Sequence, residues 1–595
     1  MLIVLALSPL WLSGICGRSL WTPDEPREAD IAWRMSHQGD WTLPQLAGRP
    51  FLEKPPLSYW MSAASLSVWG DSSAAARAPN LLYAAIAAVS LGLLTLSMGT
   101  DLAAAVIAAI VAMSALIAFR VSVWLAPDAG LLAGCSLALL GAWRGYRAAP
   151  GVRKAAGYTL MHFGAAMGFM AKSAPGWLVP ALALLALIVW ERRWSELRRW
   201  ELYAPLTLQA LLIGPWVLAV AHSARGAEAL RTLFWNNVLG RFTHVSATAD
   251  LDYTRGHHNF PGKYVLELPL YLLPWTPVVA AAAVRSLRWI REVGAQGTSW
   301  RFALAAGVPF LALLSLAATA RDIYAAPATL AAGALTGLWA HEMQRTPTRL
   351  DQLALRSSRW LIAVLTGALA AGMLVLAAAG TASVAACSVA AVAAIAAVYL
   401  ALSRAAHAQR VGRFQHSLGW AYAGYAAALV IIAVVVFPVV DRWQDLPALA
   451  RRIHADTAGE SLALLDPDET TIAMLDHGLE TPVTLLASAA QADDAGGGRA
   501  ALPNLAALGA QPAGSAPQLV STWFASRDSG ARVLVLLPGH APGALTHWLQ
   551  RFHHLDPPGD GVAASLIASG TAKLIERYEL PQGRRYALLG PPHTP

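Results

Sequence analysis

Two short stretches near the start of the chain hold the residue types that acid–base and phosphate chemistry needs. The first is Asp24-Glu25-Pro26-Arg27, followed by Gly39-Asp40-Trp41; the second is Phe51-Leu52-Glu53-Lys54-Pro55-Pro56, followed by Tyr59-Trp60. A carboxylate such as Asp24 could take a proton or face a developing cation, whereas Arg27 and Lys54 could face an anion, the arginine through a two-pronged guanidinium. Proline locks φ and steers the residue before it away from helix, so Pro55 and Pro56 make a fixed corner that aims Glu53 and Lys54 in set directions. A plainer reading makes this segment an amphipathic helix lying on a membrane, with Trp21, Trp33, Trp41, Tyr59 and Trp60 as interfacial anchors. That reading covers the aromatics but not the acid and base pairs.

The elements that must hold these residues are membrane helices. Of 595 residues 56% are hydrophobic and 13% charged, and the mean hydropathy is +0.46, a composition for which the bilayer is the solvent. Apolar runs at 2–16, 79–98, 102–119, 128–143, 156–171, 176–190, 203–222, 265–284, 302–319, 323–340, 360–379, 383–403 and 418–438 predict about thirteen spans. The class expected is mostly α and polytopic. A membrane domain spans 1–440, with long outward loops at 17–78 and 223–264, and a tail at 441–595 reads as a small α/β domain. Strands are expected in that tail at Ser461 to Leu465, Val483 to Leu486, Arg532 to Leu537 and Tyr586 to Leu589. Gly496 to Gly498 reads as a flexible loop, since no Lys-Ser/Thr follows it.

The net charge of +8 would suggest nucleic acid in a soluble protein. Here short basic linkers, such as Arg144 to Lys154, Arg192 to Arg199 and Arg285 to Arg291, mostly alternate with weakly charged ones, which explains the excess by the positive-inside rule. The two long loops, the turns before Asp128 and at Lys172, Arg321-Asp322 and the tail then fall on the outer side, and no nucleic acid partner is expected. Cys16, Cys135 and Cys387 lie in apolar segments without a pairing or metal spacing. The opening residues lack the basic region of a signal peptide and read as a first span.

Taken in order and spacing, the loop motifs resemble those of the polyprenyl-phosphate-sugar glycosyltransferases of the GT-C class, and among them the bacterial aminoarabinose transferases that modify lipid A. Further matches are Pro127-Asp128, Met167 to Lys172, Phe234-Trp235-Asn236-Asn237 with Arg241-Phe242, His258-Asn259-Phe260-Pro261, and Tyr324-Ala325-Ala326-Pro327. The resemblance implies an inverting transferase in a bacterial inner membrane, working on the periplasmic face as a monomer. Its donor would be a sugar on undecaprenyl phosphate, such as 4-amino-4-deoxy-L-arabinose, and its acceptor a lipid A phosphate.

It implies Asp24, and after it Asp128, as the catalytic carboxylates. Glu25, Arg27, Lys54, Lys172, Arg241 and Tyr324 would bind the substrate or the lipid phosphate. A zinc-like divalent metal would sit at Glu53 and His258, with His257 as an alternative ligand; no nucleotide cofactor is implied. Taken singly, Asp128 could instead cap a helix, Lys172 could snorkel to an interface, and the histidines could be a surface pair. A protein or oligosaccharide glycosyltransferase with the same donor is the alternative. A secondary transporter fits less well, because charged residues gather at span ends and no repeat is evident.

Overall fold

Every one of the apolar runs folds as helix, but several break or stop short. The computed structural model describes residues 1–224, 226–236, 259–292, 294–317, 321–477, 483–488, 514–527, 530–538 and 560–592. Among these, seven helices are long and apolar enough to cross a membrane, or eight if the pair Leu102–Ser114 and Leu116–Val123, bent by 72°, counts as one span. The expected thirteen is not reached by length and composition. Leu2–Ile15 and Pro175–Trp190 are shorter apolar helices, and the run at 265–284 is divided between Lys263–Tyr271 and Thr276–Trp289. A hydropathy pattern registers burial in an apolar medium but not where the backbone turns.

The antiparallel pair Asp128–Arg147 and Val152–Lys172 packs closely through glycine. A Cβ on Gly134 would come within 2.4 Å of the Gly168 nitrogen, and one on Gly141 within 2.2 Å of the Met161 nitrogen. Small residues let two helix backbones approach where lipid gives no hydrophobic drive to associate. The consequence is positional: the first residue of one helix, Asp128, and the last of the other, Lys172, meet at the same end of the pair.

The tail forms a five-stranded mixed sheet in the order Thr484–Leu486, Ser461–Leu465, Ala531–Leu536, Arg585–Gly590, Lys573–Glu579. The first three are parallel neighbours and the last two pair antiparallel. Side chains alternate between the faces of a strand, so Ala463, Leu465, Val533 and Val535 face helices of the tail itself. Leu464, Leu534, Tyr586 and Leu588 face the other way, into a core shared with Ile31, Met35, Leu46, Phe51 and Tyr59 of the first loop. The loop is therefore a layer between the helical bundle and the tail.

This corrects the picture of a loop lying on the membrane. Its helix Glu25–Gln38 is buried from Glu25 through Ala32. Its aromatics have partners inside the protein: the Trp21 indole donates to Asp441 at 2.7 Å, Trp33 stacks on His37 at 4.4 Å, and the Trp60 indole donates to the Trp41 carbonyl at 2.6 Å. The Gly496 to Gly498 stretch lies outside the described residues.

Candidate active site

The loop is anchored first by Glu25. Its carboxylate accepts from Arg18 at 2.6 and 2.9 Å, from Arg77 at 2.8 and 2.8 Å, and from the backbone amides of Trp21 at 2.8 Å and Leu125 at 2.9 Å. Two guanidinium groups and two amides fill its oxygen lone pairs, and the side chain is fully buried. Glu25, expected among the substrate-binding residues, ties the start of the loop, its end and the turn after Val123 into one knot.

Asp24, one residue earlier, is placed quite differently. Arg321 forks onto its two oxygens at 2.9 and 3.0 Å, and Arg27 Nη2 stands 3.6 Å away. Burial alone would raise this carboxyl, but Arg27, Arg321 and Lys54 outweigh it and hold the group well below the ordinary carboxylate range. Asp24 is therefore an anion at any physiological pH and a poor proton acceptor.

Arg27 is enclosed by acids. One end of its guanidinium pairs with Glu469 of the tail, the other donates to Glu28 at 2.8 Å, and Phe51 lies under it at 5.5 Å. The two-pronged face expected to receive a phosphate is paired here with Glu469 and Glu28. Lys54 also donates to Glu28, at 2.9 Å, yet keeps 19% of its side chain exposed. Glu53, half-buried at the proline corner, lies within the electrostatic reach of both Arg27 and Lys54. Burial pushes the Glu469 carboxyl up, against the pull of Arg27.

The second half of the site lies at the glycine-packed helix pair. Lys172 is bonded to Asp128 and sits 4.0 Å from the ring centre of Tyr324. Asp128 does not cap its helix, and the buried Lys172 does not snorkel. Arg321 holds Asp24, while Tyr324, three residues on in the short helix Asp322–Ala325, covers Lys172. One turn thus joins the two halves.

The structure brings together Asp24, Arg27, Glu53, Lys54, Asp128, Lys172 and Tyr324. Arg241, His257 and His258 lie outside the described residues. Among the described residues no group of three acidic, histidine or cysteine side chains could hold a metal ion. Glu28, Arg321 and Glu469 were not anticipated as site residues. Glu28 stood in the motif segment and Arg321 in an outer turn, but nothing in the tail marked Glu469.

A chain-length match in fold accompanies this geometry. The crystal structure of ArnT from Cupriavidus metallidurans bound to undecaprenyl phosphate superposes with a TM-score of 0.71 over 99% of this chain and 97% of that one, at 16% identity. The chain has the fold of ArnT. In sequence, a family model described as dolichyl-phosphate-mannose-protein mannosyltransferase matches residues 10–229. An undecaprenyl phosphate-alpha-4-amino-4-deoxy-L-arabinose arabinosyl transferase of Edwardsiella ictaluri is 30% identical over 45% of this chain and 46% of its own. One from Pseudomonas paraeruginosa is 29% identical over 64% of each chain. The chain thus spans about half to two-thirds of the length of these relatives (46% and 64%). The likeness to the ArnT group first read from the loop motifs is borne out, in sequence over the first part of the chain and in fold throughout.

Proposed function

We propose that the protein is an inverting glycosyltransferase of the bacterial inner membrane that works on the periplasmic face. It moves an amino sugar such as 4-amino-4-deoxy-L-arabinose from undecaprenyl phosphate to a lipid A phosphate. The donor is supported by the activity for which the relatives are named and by the lipid bound to the structural neighbour. The choice of acceptor is supported by one observation on this chain, the low proton affinity of Asp24.

In the reaction the bond from the anomeric carbon to the donor phosphate oxygen breaks, and its electron pair leaves with undecaprenyl phosphate. An oxygen of the acceptor phosphate bonds to the same carbon from the opposite side. A hydroxyl acceptor would have to lose a proton to a base, and a carboxylate held as an anion by Arg321 and Arg27 is unsuited to that task. A phosphate acceptor is already anionic. Asp24 then serves by facing the positive charge that grows on the sugar ring. Lys54, partly exposed where Arg27 is buried, faces the charge left on the departing phosphate. Lys172 and Tyr324 flank the second anion, and Arg241 belongs to the same set through the motif it shares with the relatives.

The test is direct. Purified protein given undecaprenyl-phosphate-linked aminoarabinose and lipid A should yield lipid A with an aminopentose on a phosphate, read by mass spectrometry. Sugar found only on protein or glycan hydroxyls would overturn the acceptor. No transfer at all would overturn the reaction.

A further inference from the structure

The tail helix Glu469–Asp476 runs beside the loop helix Glu25–Gln38 and meets it at two clamps. Arg27 pairs with Glu469, while Arg34 lies 2.5 Å from the Asp476 carboxylate and donates to the Asp476 carbonyl at 2.8 Å. Both pairs are separated by the same 442 positions in sequence. Equal separation requires the two helices to run parallel and in step, about two turns apart between clamps. Ile31 and Ile472 are buried in the same core between them, and the Thr470 hydroxyl donates to the Pro23 carbonyl at 3.2 Å, next to Asp24.

The two clamps differ in what lies behind them. Behind Arg34 are Asp30 and Asp476, neither of which touches the site. Behind Arg27 are Glu28, which receives Lys54, and Asp24, which receives Arg321. With one end of its guanidinium held by Glu469, Arg27 keeps its other end at 2.8 Å from Glu28 and only at 3.6 Å from Asp24. Released, it could swing to a full pair with Asp24 and compete with Arg321.

We propose that Glu469 is a positioning residue for transfer, holding Arg27 so that Glu28 aims Lys54 at the leaving phosphate and Asp24 stays free to face the sugar. The tail is by this account a working wall of the active site. The inference rests on the proposed function.

In the full-length protein, Glu469→Ala should lower kcat by about 30-fold while the donor KM changes by less than about threefold, the pattern of lost alignment rather than lost binding. Glu469→Gln, whose amide oxygen can still accept from Arg27, should recover much of that loss. Asp476→Asn loosens the same helix pair away from Arg27 and should keep kcat within about twofold. A Glu469→Ala enzyme with normal kcat, a change confined to KM, or equal losses in the Glu469 and Asp476 variants would each overturn the inference. Wild-type protein that transfers nothing would remove the proposed function and this inference together. Wild-type transfer matched by Glu469→Ala would remove this inference alone.

Discussion

Asp24 and Glu25 are neighbours in the chain, both acidic and both buried, and the structure uses them in opposite ways. Glu25 is met by two arginines and two backbone amides and has no lone pair left for a ligand. Asp24 is met by two arginines, its carboxylate takes no backbone amide among the described residues, and it keeps 11% of its side chain exposed where Glu25 keeps none. The difference lies in the number of donors aimed at each carboxylate, which is set by residues far away in the sequence. A saturated buried carboxylate holds structure; one with fewer donors and some remaining exposure can face a substrate.

The largest effect should come from breaking the saturated member. Glu25→Gln removes the anion and leaves Arg18 and Arg77 buried without a counter-charge, a change costing about 3–5 kcal/mol. The expected result is poor recovery of folded protein and a clearly lower thermal midpoint in detergent. Asp24→Asn should do the reverse, with a midpoint close to wild type and transfer reduced by at least about 100-fold. If Asp24→Asn unfolded the protein as readily as Glu25→Gln, or left transfer near normal, the contrast between the two residues would collapse.

The Asp128–Lys172 pair offers a sharper version of the same question, because both partners are buried and either could be structural or functional. Lys172→Met strands a buried carboxylate and should lower stability and transfer together. Adding Asp128→Asn removes the stranded charge, so the double variant should regain thermal stability. It should still lack transfer by about tenfold or more if the lysine beside Tyr324 acts on an anion. Recovery of both properties would assign the pair to packing alone.

How much of this was legible depended on whether the partners were close in sequence. The loop motifs were readable because the acids, the bases and the proline corner lie within one segment. The Asp24 clamp was not, since Arg321 stands 297 positions away and an arginine in an outer turn carries no local sign of its target. Glu469 was further hidden by a helix start, Asp468 capping Thr471, that explains the local residues completely. The tail shows the same limit. Four of its strands were visible as apolar runs, whereas Lys573–Glu579 was missed because it forms the sheet edge and carries Lys573, Glu576, Arg577 and Glu579. Edge strands take charged residues to prevent pairing with other chains, which erases the hydrophobic signal.

The smallest effect tests the clamp that lies away from the site. Burial, with Asp30 beside it, pushes the Asp476 carboxyl up to about 6, against the pull of Arg34 and the amides of Val483 and Ala47. His477 also faces this cluster, 3.7 Å from Asp30. The folded value lies above the ordinary aspartate value of about 3.9, so the docked state binds the extra proton. Docking is then strongest at low pH and loses this contribution as pH rises through about 6. Hydrogen exchange corrected for intrinsic rates should show the helix Glu469–Asp476 up to about tenfold better protected at pH 5 than at pH 7.5. Asp476→Asn, which cannot titrate, should flatten that dependence while leaving the Arg27 clamp in place. A dependence that survives the substitution would show that Asp476 is not the group that sets how firmly this clamp, unlike its partner around Arg27, holds the tail.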